Sequence, residues 1–297
     1  MSAQAAAFAL RGLTKRYPGF TLGPLDLMLE PGRVLGFVGP NGAGKTTTLL
    51  CMTGLVVPDA GEVELCGRPL DPGDIRWRQD VGFVGEVSGF WADWSAADNL
   101  AAIGSFYPRW SNARVAELAR RFGLPLDKKV KALSRGNRTK LALVAALGHG
   151  PRLLLLDEPT SGLDPVVRAE VLDVLWEVLE SEESAIFYST HVLSDIGRLA
   201  DELVFLSDGR VVQRAAKDDL LEAWRRISFR LAVEEPELPG AVSHRRVRAE
   251  HQVVTRDHEA TARALAALGA DAIEASRLAI DEIAVEILKE ANHVGSR

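Results

Sequence analysis

The sequence predicts an α/β chain built on a parallel sheet, and three observations carry that reading. Apolar runs at residues 34–38, 81–84, 153–156 and 185–188 have the length and composition of strands buried on both faces. Helix-forming stretches, opened by a capping serine or by a proline, stand between them. The first run leads directly into a glycine turn, Gly39-Pro40-Asn41-Gly42-Ala43-Gly44-Lys45-Thr46-Thr47, with a helix expected over 46–54. A glycine turn between a strand and a helix is the context of a phosphate-binding loop. Gly39, Gly42 and Gly44 let successive backbone N–H groups, including those of Asn41, Ala43 and Thr47, face a polyphosphate at the positive end of the helix. Lys45 would reach the terminal phosphates and Thr46 would hold Mg²⁺. A Gly-rich turn that binds nothing is the competing reading, and the complete GxxxxGKT spacing weighs against it.

Composition limits what such a loop can belong to. With 297 residues, 47% of them apolar, the chain can bury one large core and a smaller second one. The net charge of -6 gives no overall electrostatic footprint for nucleic acid. Cys51 and Cys66 form no CxxC pair, which fits a reduced cytosolic protein without a structural metal. The apolar runs fall short of a membrane span, so any membrane connection is expected through a partner.

In chain order, strands are expected over 8–13 and 21–29, joined through Tyr17-Pro18-Gly19. Tyr17 fits either a base-stacking ring or an ordinary packed tyrosine. Past the loop helix, Pro58-Asp59-Ala60-Gly61 reads as a turn and 62–68 as a strand and hairpin. After the strand at 81–84, Glu86 stands at a strand end, where it fits an oxygen ligand for Mg²⁺ and an exposed glutamate equally well. Over 95–148 the pattern turns helical, with Ser95, Ser111 and Ser134 as caps. Ser134 and the N–H of Gly136 lie at a second anion-ready helix start, and a plain cap explains Ser134 as well.

Four leucines at 153–156 then deliver Asp157 and Glu158 to the carboxyl end of a buried strand, where ligands of such sheets bind. Asp157 can hold the Mg²⁺ shell, and Glu158 can orient and polarise an attacking water. Pro165 opens a helix over 166–180, and the strand at 185–188 ends in Ser189-Thr190-His191. His191 can offer a ring N–H to a γ-phosphate.

Together these segments resemble the ATP-binding cassette (ABC) ATPases. Gly39 to Thr47 is similar to Walker A, Leu133 to Asn137 to the signature, Leu153 to Glu158 to Walker B, Ser161 to Asp164 to the D-loop, and His191 to the switch. The resemblance covers about residues 7–225. It implies a P-loop NTPase core of ABC type with an antiparallel β subdomain and a helical insertion, binding ATP and Mg²⁺. It further implies a head-to-tail dimer in which Ser134 and Gly136 of one subunit close over ATP held by Lys45 of the other. Adenine stacking on Tyr17 is implied as well, as is a loop at Glu86 that senses the membrane partner. Two positions depart from the commonest pattern: LSRGN stands for LSGGQ, placing Arg135 and Asn137 in the signature, and Glu86 stands for the usual glutamine.

Beyond residue 201, strands are expected at 202–206 and 210–213, a helix at 217–224, and then a small α+β accessory domain over 226–297. That domain opens with a strand at 227–233 and an acidic linker containing Pro236. Strands near 242–247 and 252–255 and helices at 259–268 and 278–290 follow.

The resulting expectation is an ATPase subunit, catalytic through Lys45, Glu158 and His191, that drives separate permease subunits with a second ATP-binding subunit. It would sit at the cytoplasmic face of the membrane through the permease, with export as the family-level lean and no nucleic acid partner. The alternatives are an ABC ATPase acting on nucleic acid or ribosomes, which usually carries coiled-coil insertions or two cassettes, and a regulatory nucleotide-binding module.

Overall fold

The computed structural model describes residues 5–71, 73–85, 89–181, 184–233, 236–247 and 250–294. The chain opens with two antiparallel strands, β1 (Phe8–Tyr17) and β2 (Phe20–Leu29). Next come β3 (Val34–Val38), α1 (Lys45–Met52), the hairpin β4 (Ala60–Leu65) and β5 (Arg68–Pro69), and β6 (Val81–Val84). The helical stretch comprises α2 (Ala96–Gly104), α3 (Asn112–Arg121) and α4 (Arg135–Leu147). Then β7 (Leu153–Asp157), α5 (Pro165–Ser181), β8 (Ala185–Thr190), α6 (Leu193–Leu199), β9 (Glu202–Ser207), β10 (Arg210–Ala216) and α7 (Lys217–Ala223) follow. The last part holds β11 (Arg225–Arg230), β12 (Ala241–Val247), β13 (Glu250–Thr255), α8 (His258–Ala267), β14 (Asp271–Arg277) and α9 (Ile280–Val294).

These strands form three sheets. The central sheet has the order β10-β9-β3-β8-β7-β6, parallel throughout except for the antiparallel edge strand β10. Every residue of β3, β7 and β8 is buried, which is why their sequences are apolar without alternation. A second, antiparallel sheet, β2-β1-β4-β5, covers one side, its core joined to the central sheet through Phe8, Phe37 and Phe187. Helices α2 to α4 pack at the β6 edge, each opened by the serine expected from the sequence. Ser95 makes a full capping box with Asp98, Ser111 accepts from the Arg114 N–H, and Ser134 accepts from the Asn137 N–H.

The third sheet, β12-β13-β11-β14, is antiparallel and carries a small core of Ile227, Phe229, Val253 and Leu265. Helix α9 leaves that sheet and returns to the cassette. Its residues Ile280, Ile283, Ala284 and Ile287 belong to the same buried cluster as Leu199, Leu203 and Phe205. Among the described strands and α-helices, two were unread in the sequence. β14 is exposed along its whole length and so lacks any apolar alternation, and α6 is seven residues long. Both cysteines are buried, and burial pushes their thiols up to about 11, so they stay protonated.

Candidate functional site

The site forms where three neighbouring parallel strands end. β3 runs into the glycine turn, β7 ends at Asp157 with Glu158 next, and β8 ends one residue before His191. The register sets Val38 beside Thr190 and Asp157 beside Ser189, so the three strand ends deliver their residues at one level. A cavity of about 570 Å³ is lined there by Asn41, Gly42, Gly44, Lys45, Thr46, Thr47, Asp157, Glu158, Ser161 and His191, with Phe20 on its wall. Gly42 and Gly44 have φ of 82° and 111°, left-handed backbone that favours glycine. At Gly44 a Cβ would also meet Leu22 Cδ1 at 2.7 Å, and at Gly39 it would meet the Leu206 carbonyl at 2.4 Å.

Electrostatics in the cavity centre on Glu158. Its carboxylate takes Lys45 Nζ at 3.1 Å on one oxygen and His191 Nδ1 at 2.7 Å on the other. Lys45 is 5% exposed and also donates to the carbonyls of Gly39 at 2.8 Å and Pro40 at 3.1 Å. The ammonium group is thus held by two carbonyls and one carboxylate, and a more anionic ligand in the cavity must compete with them. Glu158 has φ of 47°, a left-handed conformation unusual for a side chain of its size. Its N–H donates to the Ser189 carbonyl at 3.1 Å, which holds the bend. The Ser189 hydroxyl donates to Asp157 Oδ1 at 2.6 Å, so one oxygen of that buried carboxylate is committed.

The donor set fits Mg²⁺ better than a transition metal. Among the described residues no group of three or more His, Cys, Asp or Glu is placed to hold a metal. Thr46 and Asp157, both hard oxygen donors, face the same cavity as Lys45, the arrangement in which phosphate oxygens and waters complete a magnesium shell.

The remaining residues singled out by sequence fall elsewhere. Tyr17 is exposed and does not line this cavity; its register partner Phe20 does, and Lys15 Nζ lies 5.7 Å from the Tyr17 ring centroid. Ser134 and Gly136, at the start of α4, are also absent from the wall around Lys45. Beside Gly136, Arg135 lies against the D-loop, where a Cβ on Gly162 would meet its guanidinium at 2.5 Å. Glu86 lies outside the described residues. Sequence reasoning missed Phe20, which carries no motif, and the role of Ser189 in holding Asp157, a contact only the register of β7 and β8 creates.

A profile of the family described as ABC transporter matches residues 22–161, from within β2 to the D-loop. The Nod factor export ATP-binding protein I of Cupriavidus metallidurans is 36% identical over 208 residues, covering 67% of each chain. This chain belongs to the ABC transporter ATPases. A second relative, the bacitracin transport ATP-binding protein BcrA of Bacillus licheniformis, is 32% identical, covering 74% of this chain and 73% of the relative. Among solved structures, the ATP-binding subunit of an ABC transporter superposes with a TM-score of 0.67 at 27% identity, over 73% of this chain and 92% of the other.

The ABC fold expected from the motifs is thus the fold observed, with its antiparallel sheet and helical insertion in place. Like other ABC ATPases, the subunit belongs to a family that binds and hydrolyses ATP, forms dimers and works with permease subunits. No described helix is long and apolar enough to cross a membrane.

Proposed function

We propose that this ATPase holds Mg-ATP between the glycine turn of one copy and the signature helix of a second ATP-binding subunit, and uses its hydrolysis to drive export through separate permease chains. The reading rests on one observation: Lys45, Asp157, Glu158 and His191, brought by three strand ends, share the wall of a single cavity. Lys45 exchanges its carbonyl and Glu158 partners for β- and γ-phosphate oxygens, helped by the turn amides and the start of α1. Thr46 and Asp157 would hold Mg²⁺, with Glu86 as a further oxygen ligand, and the ion would offset charge between the phosphates. Released from Lys45, the Glu158 carboxylate orients and polarises water, while His191 keeps its N–H toward the reacting side.

Ser134 and Gly136 would close the site from the second subunit, and Tyr17 would stack on adenine. Permease contact is supported by a groove of about 510 Å³ beside Gly85 at the end of β6. Trp77, Phe83, Phe90, Ile103 and Tyr107 line much of it, the apolar kind of surface that takes a partner's segment. Through that contact the chain would sit at the cytoplasmic face of the membrane. The relative named for Nod factor export favours export as the direction of transport.

Steady-state turnover tests the site. Glu158→Gln is expected to keep ATP binding and to lower hydrolysis about a hundredfold or more; unchanged turnover would remove Glu158 from its role. Co-isolation of the chain with a permease from detergent-solubilised membranes tests the partner.

A further inference from the structure

Behind the cavity, at the roots of the segments leaving Glu158 and His191, lies a buried polar network that the hydrolysis reading leaves unused. Thr160, two residues after Glu158, has its hydroxyl 2.5 Å from Asp195 Oδ2 and 2.8 Å from the Tyr188 phenol. Asp195, four residues after His191, also pairs with Arg168 Nε from α5, and Arg168 Nη2 donates to Ser194 Oγ at 2.6 Å. Tyr188, Thr160 and Asp195 are 0, 5 and 2% exposed. Proton counting fixes the direction. An ionised carboxylate only accepts, so Thr160 gives its single proton to Asp195 and receives one from Tyr188. Burial, with the Asp195 charge nearby, holds the Tyr188 phenol well above its ordinary range, so that donor proton stays in place.

We propose that Asp195 is a positioning residue for ATP hydrolysis. Through Thr160 and α6 it locks the chain leaving Glu158 to the chain leaving His191, and so keeps the 2.7 Å contact between those two side chains. The loop after β7 and α5 meet α6 at this one carboxylate, and β8 joins them through the Tyr188 phenol on Thr160. A turn in which the Val192 N–H donates to Thr190 Oγ1 at 2.8 Å stiffens the link between β8 and α6. A buried, fully paired network of this kind has few alternative arrangements, and an ångström of drift between two catalytic groups is costly to rate. The inference rests on the roles proposed for Glu158 and His191.

The test measures kcat and KM for ATP on the full chain, per folded molecule, in wild type, Thr160→Val, Thr160→Ser, Asp195→Asn, His191→Ala and the Thr160→Val/His191→Ala double variant. Thr160→Val keeps volume and adds no charge, so it remains informative should Asp195→Asn fail to fold. Its kcat is expected to fall about tenfold with KM within about twofold, and Thr160→Ser, which retains the hydroxyl, to restore most of the loss. The double variant is expected to be no slower than His191→Ala alone, because the network acts through the contact already removed. An unchanged kcat in Thr160→Val, or a double variant slower by the product of the two single effects, would overturn the proposal. If His191→Ala itself turns over like wild type, the site reading and the inference fail together. If only the network variants behave like wild type, the inference alone fails.

Discussion

Two helix starts in this chain carry phosphate-type residues, and they stand in different situations. At α1 the glycine turn meets its chemical complement within the same chain, since Lys45 contacts Glu158 and shares a cavity with Asp157 and His191. At α4 the start of the helix is exposed, Ser134 is occupied with capping Asn137, and neither Ser134 nor Gly136 borders the cavity around Lys45. The difference teaches that the first site is assembled by one chain's sheet, whereas the second, in the function proposed above, is completed by a second subunit. A single fold can position strand ends to within hydrogen-bonding distance, but it leaves an outward-facing helix end for a partner.

The largest expected effect breaks the first half of that contrast. Lys45→Ala removes the one lysine or arginine that lines the cavity among the described residues, and turnover is expected to fall about a hundredfold or more, with ATP affinity weakened in parallel by equilibrium dialysis. Ser134→Arg addresses the second half. It should abolish ATP-dependent association while leaving the affinity of the isolated chain for ATP within about twofold, since Ser134 does not line the cavity around Lys45. Ser134→Ala sharpens the same point with a smaller change. Loss of the cap is expected to cost about 1 kcal/mol by urea unfolding, a purely local price to the helix.

The far end of α4 provides the contrast within one helix. His149, just beyond Leu147, is buried, stacks on Tyr107 with ring centroids 4.2 Å apart and lies with Nε2 3.2 Å from the Val81 carbonyl. Burial lowers its pKa to about 4, against 6.5 when exposed. The folded state therefore keeps the ring neutral while the unfolded chain takes up a proton as pH falls. Stability from this group is full above pH 6.5 and declines between 6.5 and 4, by up to about 3 kcal/mol. Urea unfolding at pH 7 and pH 5 should show the decline in wild type and lose that share of it in His149→Leu; equal declines in both would assign the pH dependence to other groups.

How much of this was legible in the sequence follows from burial. β3, β7 and β8 are buried on both faces, so unbroken apolar runs announced them, and the residues at their ends inherited a place on the site. The serine caps were equally readable because a cap is a local contact. β14 was not, since every residue in it is exposed and its strand pairing is with β11 at the sheet edge. α6 was missed for want of length, and with it Asp195, whose partners Thr160 and Arg168 come from two distant segments. Tyr17 was legible as an aromatic ahead of the loop, but only the pairing of β1 with β2 shows that Phe20 is the ring on the cavity wall.

Sedimentation of Glu158→Gln with saturating ATP and Mg²⁺ tests most directly whether the two helix starts meet across a pair of subunits. With hydrolysis removed and binding kept, the chain should sediment at twice its mass of 32.2 kDa, and addition of Ser134→Arg should return it to the single-chain value. A nucleotide-loaded Glu158→Gln chain that stays at the single-chain mass would contradict the account.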